Sequence, residues 1–198
     1  MKSNQKAFSL IELLCVIAVL AILMSLLLVA VGGTGDSQKL RSTGDLISGL
    51  GIQARQHALG KNTLTAIVIL GKNAPAEKAL QSASLYALNT NKEWEQISPW
   101  KQFPTGIIAD PDNSTFFDTN AQQPAPAFPT SLTVSGQSVN SFGYQIFLPN
   151  GRVLSTNSVT LKLAIGFLQS GNVSIKTTNN YLTLTFIPST GQTKIYQP

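Results

Sequence analysis

The sequence predicts an α+β fold in which a long N-terminal helix packs on a mainly antiparallel β-sheet. A charge-free apolar run is followed by apolar residues at helical spacing. After Lys61 the pattern changes to short alternating segments, which are separated by Gly, Pro, Asn and Ser turns. A helix followed by many strands is typical of α+β domains. The 198 residues suit one globular domain plus an appendage.

The first half of the helix is predicted to be transmembrane. From Leu13 to Val31 the chain has no charged residue and a single hydroxyl, Ser25. At about 1.5 Å per residue, a helix of this length spans most of a bilayer core. Lys2 and Lys6 precede the run and orient the N-terminus toward the cytoplasm under the positive-inside rule. A cleaved secretory signal peptide and a plain single-pass anchor are the competing interpretations.

Glu12 stands at the head of this apolar run. A carboxylate in that place costs several kcal/mol to bury unless it is paired. Signal peptides and simple anchors rarely carry an acid there. An acidic residue at a fixed depth in a membrane segment therefore predicts a function.

The residues Lys6-Ala7-Phe8-Ser9-Leu10-Ile11-Glu12-Leu13-Leu14 resemble the cleavage and methylation motif of type IV prepilins and type II secretion pseudopilins. The resemblance implies that a prepilin peptidase cuts between Ala7 and Phe8 and that Phe8 becomes N-methylated. It also implies that Glu12 acts in assembly, where it would pair with the new N-terminal amine of a neighbouring subunit. The family usually has glycine before the cut. Alanine is the next smallest residue, so processing is still expected.

The same resemblance implies an organisation for the whole chain. Residues 1–7 would be a cleaved leader, residues 8–31 a transmembrane and assembly helix, residues 32–60 an amphipathic helix and residues 61–198 a β-rich periplasmic head. The subunit would cross the bacterial inner membrane once, in contact with lipid and an assembly platform. It would then join other pilin or pseudopilin subunits in a pilin-like filament.

A second, amphipathic half of the helix follows the glycine cluster at residues 32–35, which predicts a loosened or broken helix. Small and apolar residues then recur at helical spacing and predict a helix over residues 37–59, with Asp36 or Ser37 as its N-cap. Strands are predicted for residues 64–70, 84–89, 131–134, 144–148, 153–155, 159–166, 173–177, 181–187 and 193–196, with a strand or turn at 94–100. Residues 110–129 are rich in Pro, Asp, Asn and Gln and predict a long surface loop.

A weaker resemblance points to the H-type minor pseudopilins and their type IV pilus counterparts. It rests on Leu85-Tyr86-Ala87-Leu88-Asn89 with Trp94, on Phe147-Leu148-Pro149-Asn150-Gly151-Arg152, and on the Thr190-Gly191 turn. The Phe-x-Pro-x-Gly pattern is also a general hairpin turn, because proline presets φ and glycine accepts a positive φ. Both interpretations stay open. Trp94 and Trp100 either pack over the sheet or form a patch that binds a partner.

Charge and reactive residues exclude several classes of function. The net charge of +5 is scattered without a run of four Lys or Arg, so no nucleic-acid groove is expected. The single Cys15 and the single His57 provide neither an internal disulfide, nor a CxxC metal site, nor a Ser-His-Asp triad. The sequence contains no phosphate-binding glycine loop. We therefore expect no enzyme and no cofactor.

A weak calcium candidate lies in the predicted loop. It comprises Asp110, Asp112, Asn113 and Asp118. Oxygen ligands clustered on a loop suit Ca²⁺, but this spacing does not match an EF-hand. Because Asp and Asn are also common turn residues, a solvated loop is the preferred interpretation and no metal is expected.

The predicted function is that of a minor pseudopilin-like structural subunit in the periplasmic pseudopilus of a type II secretion-like system. The nearest alternative is a minor type IV pilin that serves adhesion, motility or DNA uptake. A secretin and secretion ATPase among the gene neighbours would favour the first, and a retraction ATPase the second. An alternative of another class is a membrane-tethered binding module, which would not depend on Glu12.

Overall fold

A computed structural model describes residues 10–32, 34–118, 124–169 and 171–198. The chain divides into two compact units, residues 1–38 and residues 39–198. Helix α1 comprises Leu10–Gly32 and helix α2 comprises Thr34–Lys61. The predicted helix break includes residue 33, which lies outside the described residues.

Helix α1 exposes the apolar side chains of its first fifteen residues, Leu10 to Met24. From Leu10 to Met24, its Leu, Ile, Val and Met residues are 51–85% exposed. Across the described ranges, no helix is both long and apolar enough to cross a membrane. The predicted transmembrane first half of the helix is therefore not confirmed.

Helix α2 buries one face and exposes the other, and it begins upstream of the predicted Ser37. Its buried side chains recur every three or four residues, so they form one stripe along the helix. The stripe comprises Leu40, Thr43, Ile47, Leu50, Ala54 and Ala58. A methyl group on Gly44 would lie 2.9 Å from a Leu182 side-chain carbon. The small residue at this position therefore lets α2 lie close to the strands.

The strands of the second unit are short and antiparallel. Their bounds are β1 Thr65–Leu70, β2 Ser82–Leu88, β3 Trp94–Gln96, β4 Lys101–Gln102, β5 Ile107–Asp110, β6 Leu132–Val134, β7 Gln137–Val139, β8 Phe142–Phe147, β9 Val159–Gln169, β10 Asn172–Ile175, β11 Tyr181–Phe186 and β12 Thr193–Tyr196. One sheet has the order β3-β2-β1-β8, with β4 also on β2. The other has the order β10-β9-β11-β12, with β5 also on β9. Strands β6 and β7 form a separate hairpin.

The main core lies between α2 and the inner faces of both sheets. It contains Ile67, Leu85 and Phe147 of the first sheet together with Leu163 and Leu184 of the second. Residue Ile67 stands opposite Leu85 on one neighbouring strand, and Leu163 stands opposite Leu182. Both sheets thus bury one face on the same helix, which is the arrangement expected of an α+β domain.

The outer face of the first sheet is also buried, which explains why five successive residues of β1, Ala66 to Leu70, are apolar. Its side chains alternate between the main core and a second cluster on the outer face. Phe128, from the Pro-rich segment 124–131, lies at the centre of that cluster. Its ring stacks on Tyr144 at 4.4 Å and meets Trp94 edge-on at 4.8 Å. Trp100 also contacts Tyr86. Both tryptophans therefore pack over this sheet.

The prediction of a long surface loop over residues 110–129 is wrong for the described part. Asp110 ends β5, and two short 3₁₀ turns follow at Pro111–Asn113 and Thr115–Phe117. Phe116 and Phe128 are buried. The polar composition of the segment gave no indication that these two phenylalanines are buried. Residues 119–123 lie outside the described ranges.

Other strand predictions differ in detail. The predicted strand at 153–155 is reduced to one bridge between Phe147 and Val153, because the chain turns away at once. Strands β4, β5 and β7, which have two to four residues, were not predicted. Strand β12 has the predicted bounds. The α+β class with antiparallel sheets is confirmed.

Burial alters the ionisation of two phenols in the outer cluster. Burial raises the pKa of Tyr86 and of Tyr144 above the ordinary value for tyrosine. The charged form is disfavoured because it would lose solvation inside the cluster. Both phenols are therefore neutral at physiological pH, which suits their packing against other rings.

Candidate functional site

The predicted processing residues lie outside the described residues. These are Lys2, Lys6, Ala7 and Phe8. The assembly residue Glu12 lies in the first turn of α1, and it is exposed. A negative charge at this end of a helix is favoured by the helix dipole. The processing and assembly roles of these residues therefore stay predictions.

The two turns that carried the weaker resemblance meet each other in the second unit. The 147–152 turn is closed by hydrogen bonds from Gly151 N–H to Leu148 O and from Leu148 N–H to Arg152 O, both 2.8 Å. The backbone of Gly191 lies against the carbonyl of Gly151. Val153 N–H also donates to Pro188 O at 3.0 Å. The two segments thus form one junction, although about forty residues separate them in the sequence.

Arg55 of α2 connects the helix to this junction. Its Nε donates a hydrogen bond to Gly151 O at 3.2 Å, and its Cδ lies close to Gly191. The sequence analysis did not predict this role for Arg55. The available signal was its position one residue after the buried Ala54, which puts a long side chain at the edge of the helix–sheet contact.

We expect Gly191→Ala to destabilise the second unit more than Gly136→Ala does. Both glycines have positive φ, 65° and 79°, which costs an alanine about 1–2 kcal/mol. A methyl group on Gly136 meets nothing within 4 Å, whereas one on Gly191 overlaps the carbonyl oxygen of Gly151. Overpacking of that kind adds about 1–3 kcal/mol. Chemical denaturation of the two variants measures the difference in the free energy of unfolding. Equal losses of stability would show that the junction moves to accommodate the added methyl group without further cost.

The calcium candidates are held by neighbouring side chains. The buried carboxylate of Asp110 lies 3.8 Å from Lys162 Nζ and accepts a hydrogen bond from Asn113 Nδ2 at 2.9 Å. Asp112 pairs with Lys72 at 3.0 Å. In the described part of the chain, no three His, Cys, Asp or Glu side chains are grouped to hold a metal ion. The expectation of no metal at these residues and Asp118, with calcium as the weak alternative, stays a prediction.

His57 lies at the edge of a cavity of about 500 Å³ near the C-terminal end of α2. Its Nδ1 is 3.1 Å from the hydroxyl of the buried Thr65. Lys61 and Glu95 also line the cavity. The hydrogen bond to Thr65 gives His57 a structural partner at the helix–sheet contact.

Comparison with known proteins places a family motif on the N-terminal segment. The family model described as the prokaryotic N-terminal methylation motif matches residues 2–28. No curated protein matches the chain.

Solved structures that resemble the chain include a minor pseudopilin and a type IV minor pilin. The chain is similar to the minor pseudopilin EpsH from the type 2 secretion system of Vibrio cholerae, with 9% identity, a TM-score of 0.47 and coverage of 81% of this chain and 98% of that one. It is also similar to the type IV minor pilin FimU of Pseudomonas aeruginosa, with 12% identity, a TM-score of 0.48 and coverage of 81% and 93%.

The matched residues 2–28 include the whole segment quoted above for its resemblance to prepilins, Lys6 to Leu14. The match therefore confirms the predicted recognition of that segment. The N-terminal segment of the chain therefore carries the prokaryotic N-terminal methylation motif.

Proposed function

We propose that this chain is a minor pseudopilin-like structural subunit of a periplasmic pseudopilus in a type II secretion-like system. The observation that carries the proposal is the methylation motif at residues 2–28, which leads into a helix with exposed apolar side chains. Such a helix needs lipid or neighbouring helices to cover it. A precursor anchored in a membrane and later packed in a filament provides the two environments in succession.

The proposal includes a position in the cell. The leader with Lys2 and Lys6 lies in the cytoplasm, residues 8–31 cross the bacterial inner membrane, and the β-rich head lies in the periplasm. The basic leader and the uncharged run of residues 13–31 support this orientation. The partners are the prepilin peptidase, other pilin or pseudopilin subunits, the assembly platform and lipid. Enzymatic activity is not expected.

We expect mass spectrometry to find a chain that begins at N-methylated Phe8 only when a prepilin peptidase is present. The precursor should begin at Met1 when the peptidase is absent. Ala7→Leu should block the cut, because a bulky side chain replaces the small residue before the scissile bond, whereas Ala7→Gly should be cut at least as fast as the wild type. A chain cut instead near residues 31–35, with or without the peptidase, would show that the N-terminal segment is an ordinary signal peptide.

A further inference from the structure

Strand β12 is an edge strand with unused backbone groups. Among the described strands it pairs with β11 alone. Ile187 N–H donates to Gln192 O at 2.9 Å. This bond determines which residues of β12 hydrogen-bond to β11 and which do not. Because hydrogen bonding alternates from residue to residue in an antiparallel pair, Lys194 and Tyr196 direct their backbone groups at β11. Thr193 and Ile195 direct theirs away from the sheet.

The side chains of the same two residues lie on the α2 side of the sheet. Thr193 stands opposite the buried Phe186, and Ile195 stands opposite the buried Leu184. Directly opposite residues share a face, so Lys194 and Tyr196 project from the other face. Any strand added at this edge would therefore present alternate side chains to α2 and to Lys194.

A groove lies beside this edge, between α2 and the start of β12. It encloses about 280 Å³ and is lined by Ile52 and Arg55 of α2 and by Thr193. Ile52 and Ile195 are 54% and 40% exposed. The hydroxyl oxygen of Thr193 is buried without a hydrogen-bond partner in the described structure. The groove thus combines exposed apolar side chains with an unsatisfied polar atom and free backbone groups.

The charge at the edge decides between two kinds of occupant. One possible occupant is β12 of a second copy, paired antiparallel so that Thr193 and Ile195 of both strands form the hydrogen bonds. In that two-fold arrangement the two Lys194 side chains stand directly opposite each other. Like charges in that position destabilise a strand pair, and edge lysines commonly prevent self-pairing. Among the described residues that line the groove, Arg55 is the charged one, so both faces of the edge favour negative charge.

We propose that the free edge of β12 binds an extended acidic segment of another polypeptide, which adds to the sheet as one more strand. The segment places apolar side chains against Ile52 and Ile195 and carboxylates beside Lys194. Main-chain hydrogen bonds to Thr193 and Ile195 provide the binding, and the alternation of side chains provides the specificity. This inference goes beyond the proposed function, since it concerns the head and does not depend on Glu12.

The test uses a labelled, end-blocked five-residue peptide of alternating valine and glutamate, with the full-length chain in detergent. Fluorescence anisotropy should show binding, and hydrogen exchange should slow in the C-terminal fragment that contains Thr193 and Ile195. The same peptide with lysine in place of glutamate should bind at least tenfold more weakly. Lys194→Glu should weaken the valine–glutamate peptide about tenfold, because an attractive cross-strand pair becomes repulsive.

A matched pair of variants tests the backbone contact itself. Ile195→Pro removes an N–H that faces away from β11, so the sheet keeps its own hydrogen bonds while peptide binding is lost. Ile195→Val keeps the N–H and a β-branched side chain, and it should bind within about twofold of the wild type. No binding to the wild type, unchanged binding by Lys194→Glu, or a wild-type dimer linked through β12 would each overturn the proposal.

Discussion

Glu12→Ala is expected to abolish incorporation of the processed subunit into filaments, while cleavage between Ala7 and Phe8 and folding of the head persist. Cleavage leaves a free amine on Phe8, which we propose pairs with Glu12 of a neighbouring subunit. At about 4 Å and an effective dielectric near 20, such a pair contributes about 4 kcal/mol before desolvation costs. Glu12 is exposed in the first turn of α1.

The measurement is the fraction of processed subunit recovered in sheared filaments, compared with the fraction left in the membrane. Glu77→Ala is the matched control, because it removes an exposed carboxylate from the head and should leave assembly unchanged. Glu12→Gln keeps the shape of the side chain but not the charge, so it should behave like Glu12→Ala. Normal incorporation of Glu12→Ala would show that assembly does not need the carboxylate, whereas absence of the wild-type chain from sheared filaments would favour a membrane-tethered binding module.

Phe128→Ala is expected to destabilise the head by about 3–5 kcal/mol, the range found when a buried phenylalanine is truncated. The ring is buried and contacts Tyr144, Trp94, Tyr86 and Phe142 at centroid distances between 4.4 and 5.9 Å. Removing it takes away the segment's central contact with the outer face of the first sheet. Since small domains are stable by about 5–15 kcal/mol, the loss is a large share of the total.

Phe167→Ala is the matched control for this prediction. Phe167 lies on β9 with 51% of its surface exposed, and truncation there should change stability by about 0.5 kcal/mol or less. Urea denaturation followed by circular dichroism measures both variants. A similar small loss for Phe128→Ala would mean that segment 124–131 rests on the sheet without stabilising it.

The sequence predicted the class of fold, the helix order and most strands because their signals are local. Strand β12 and the helix α2 follow from alternation and from helical spacing, which a single segment contains. The burial of Phe128 and of Asp110 could not be predicted, because each depends on segments far away in the chain. A Pro-rich stretch reads as solvated loop until the sheet that it covers is known.

The candidate site divides in the same way. Residues Ala7, Phe8 and Glu12 were predicted from one contiguous motif, and the recognition of that motif is confirmed. Arg55 and the docking edge of β12 were missed, because their roles arise only where α2, the 147–152 turn and the C-terminal hairpin come together. Periodicity identifies which residues form a strand, but it does not identify which strand lies at the edge of a sheet.

The aromatic cluster around Phe128 also determines what optical spectroscopy can detect in this protein. The chain has two tryptophans, Trp94 and Trp100, and both pack in that cluster. Intrinsic tryptophan fluorescence is therefore a local reporter of the first sheet's outer face. A fluorescence transition that precedes the far-ultraviolet circular dichroism transition would reveal segment 124–131 detaching before the sheets unfold. Coincident transitions would mean that the segment and both sheets unfold as one cooperative unit.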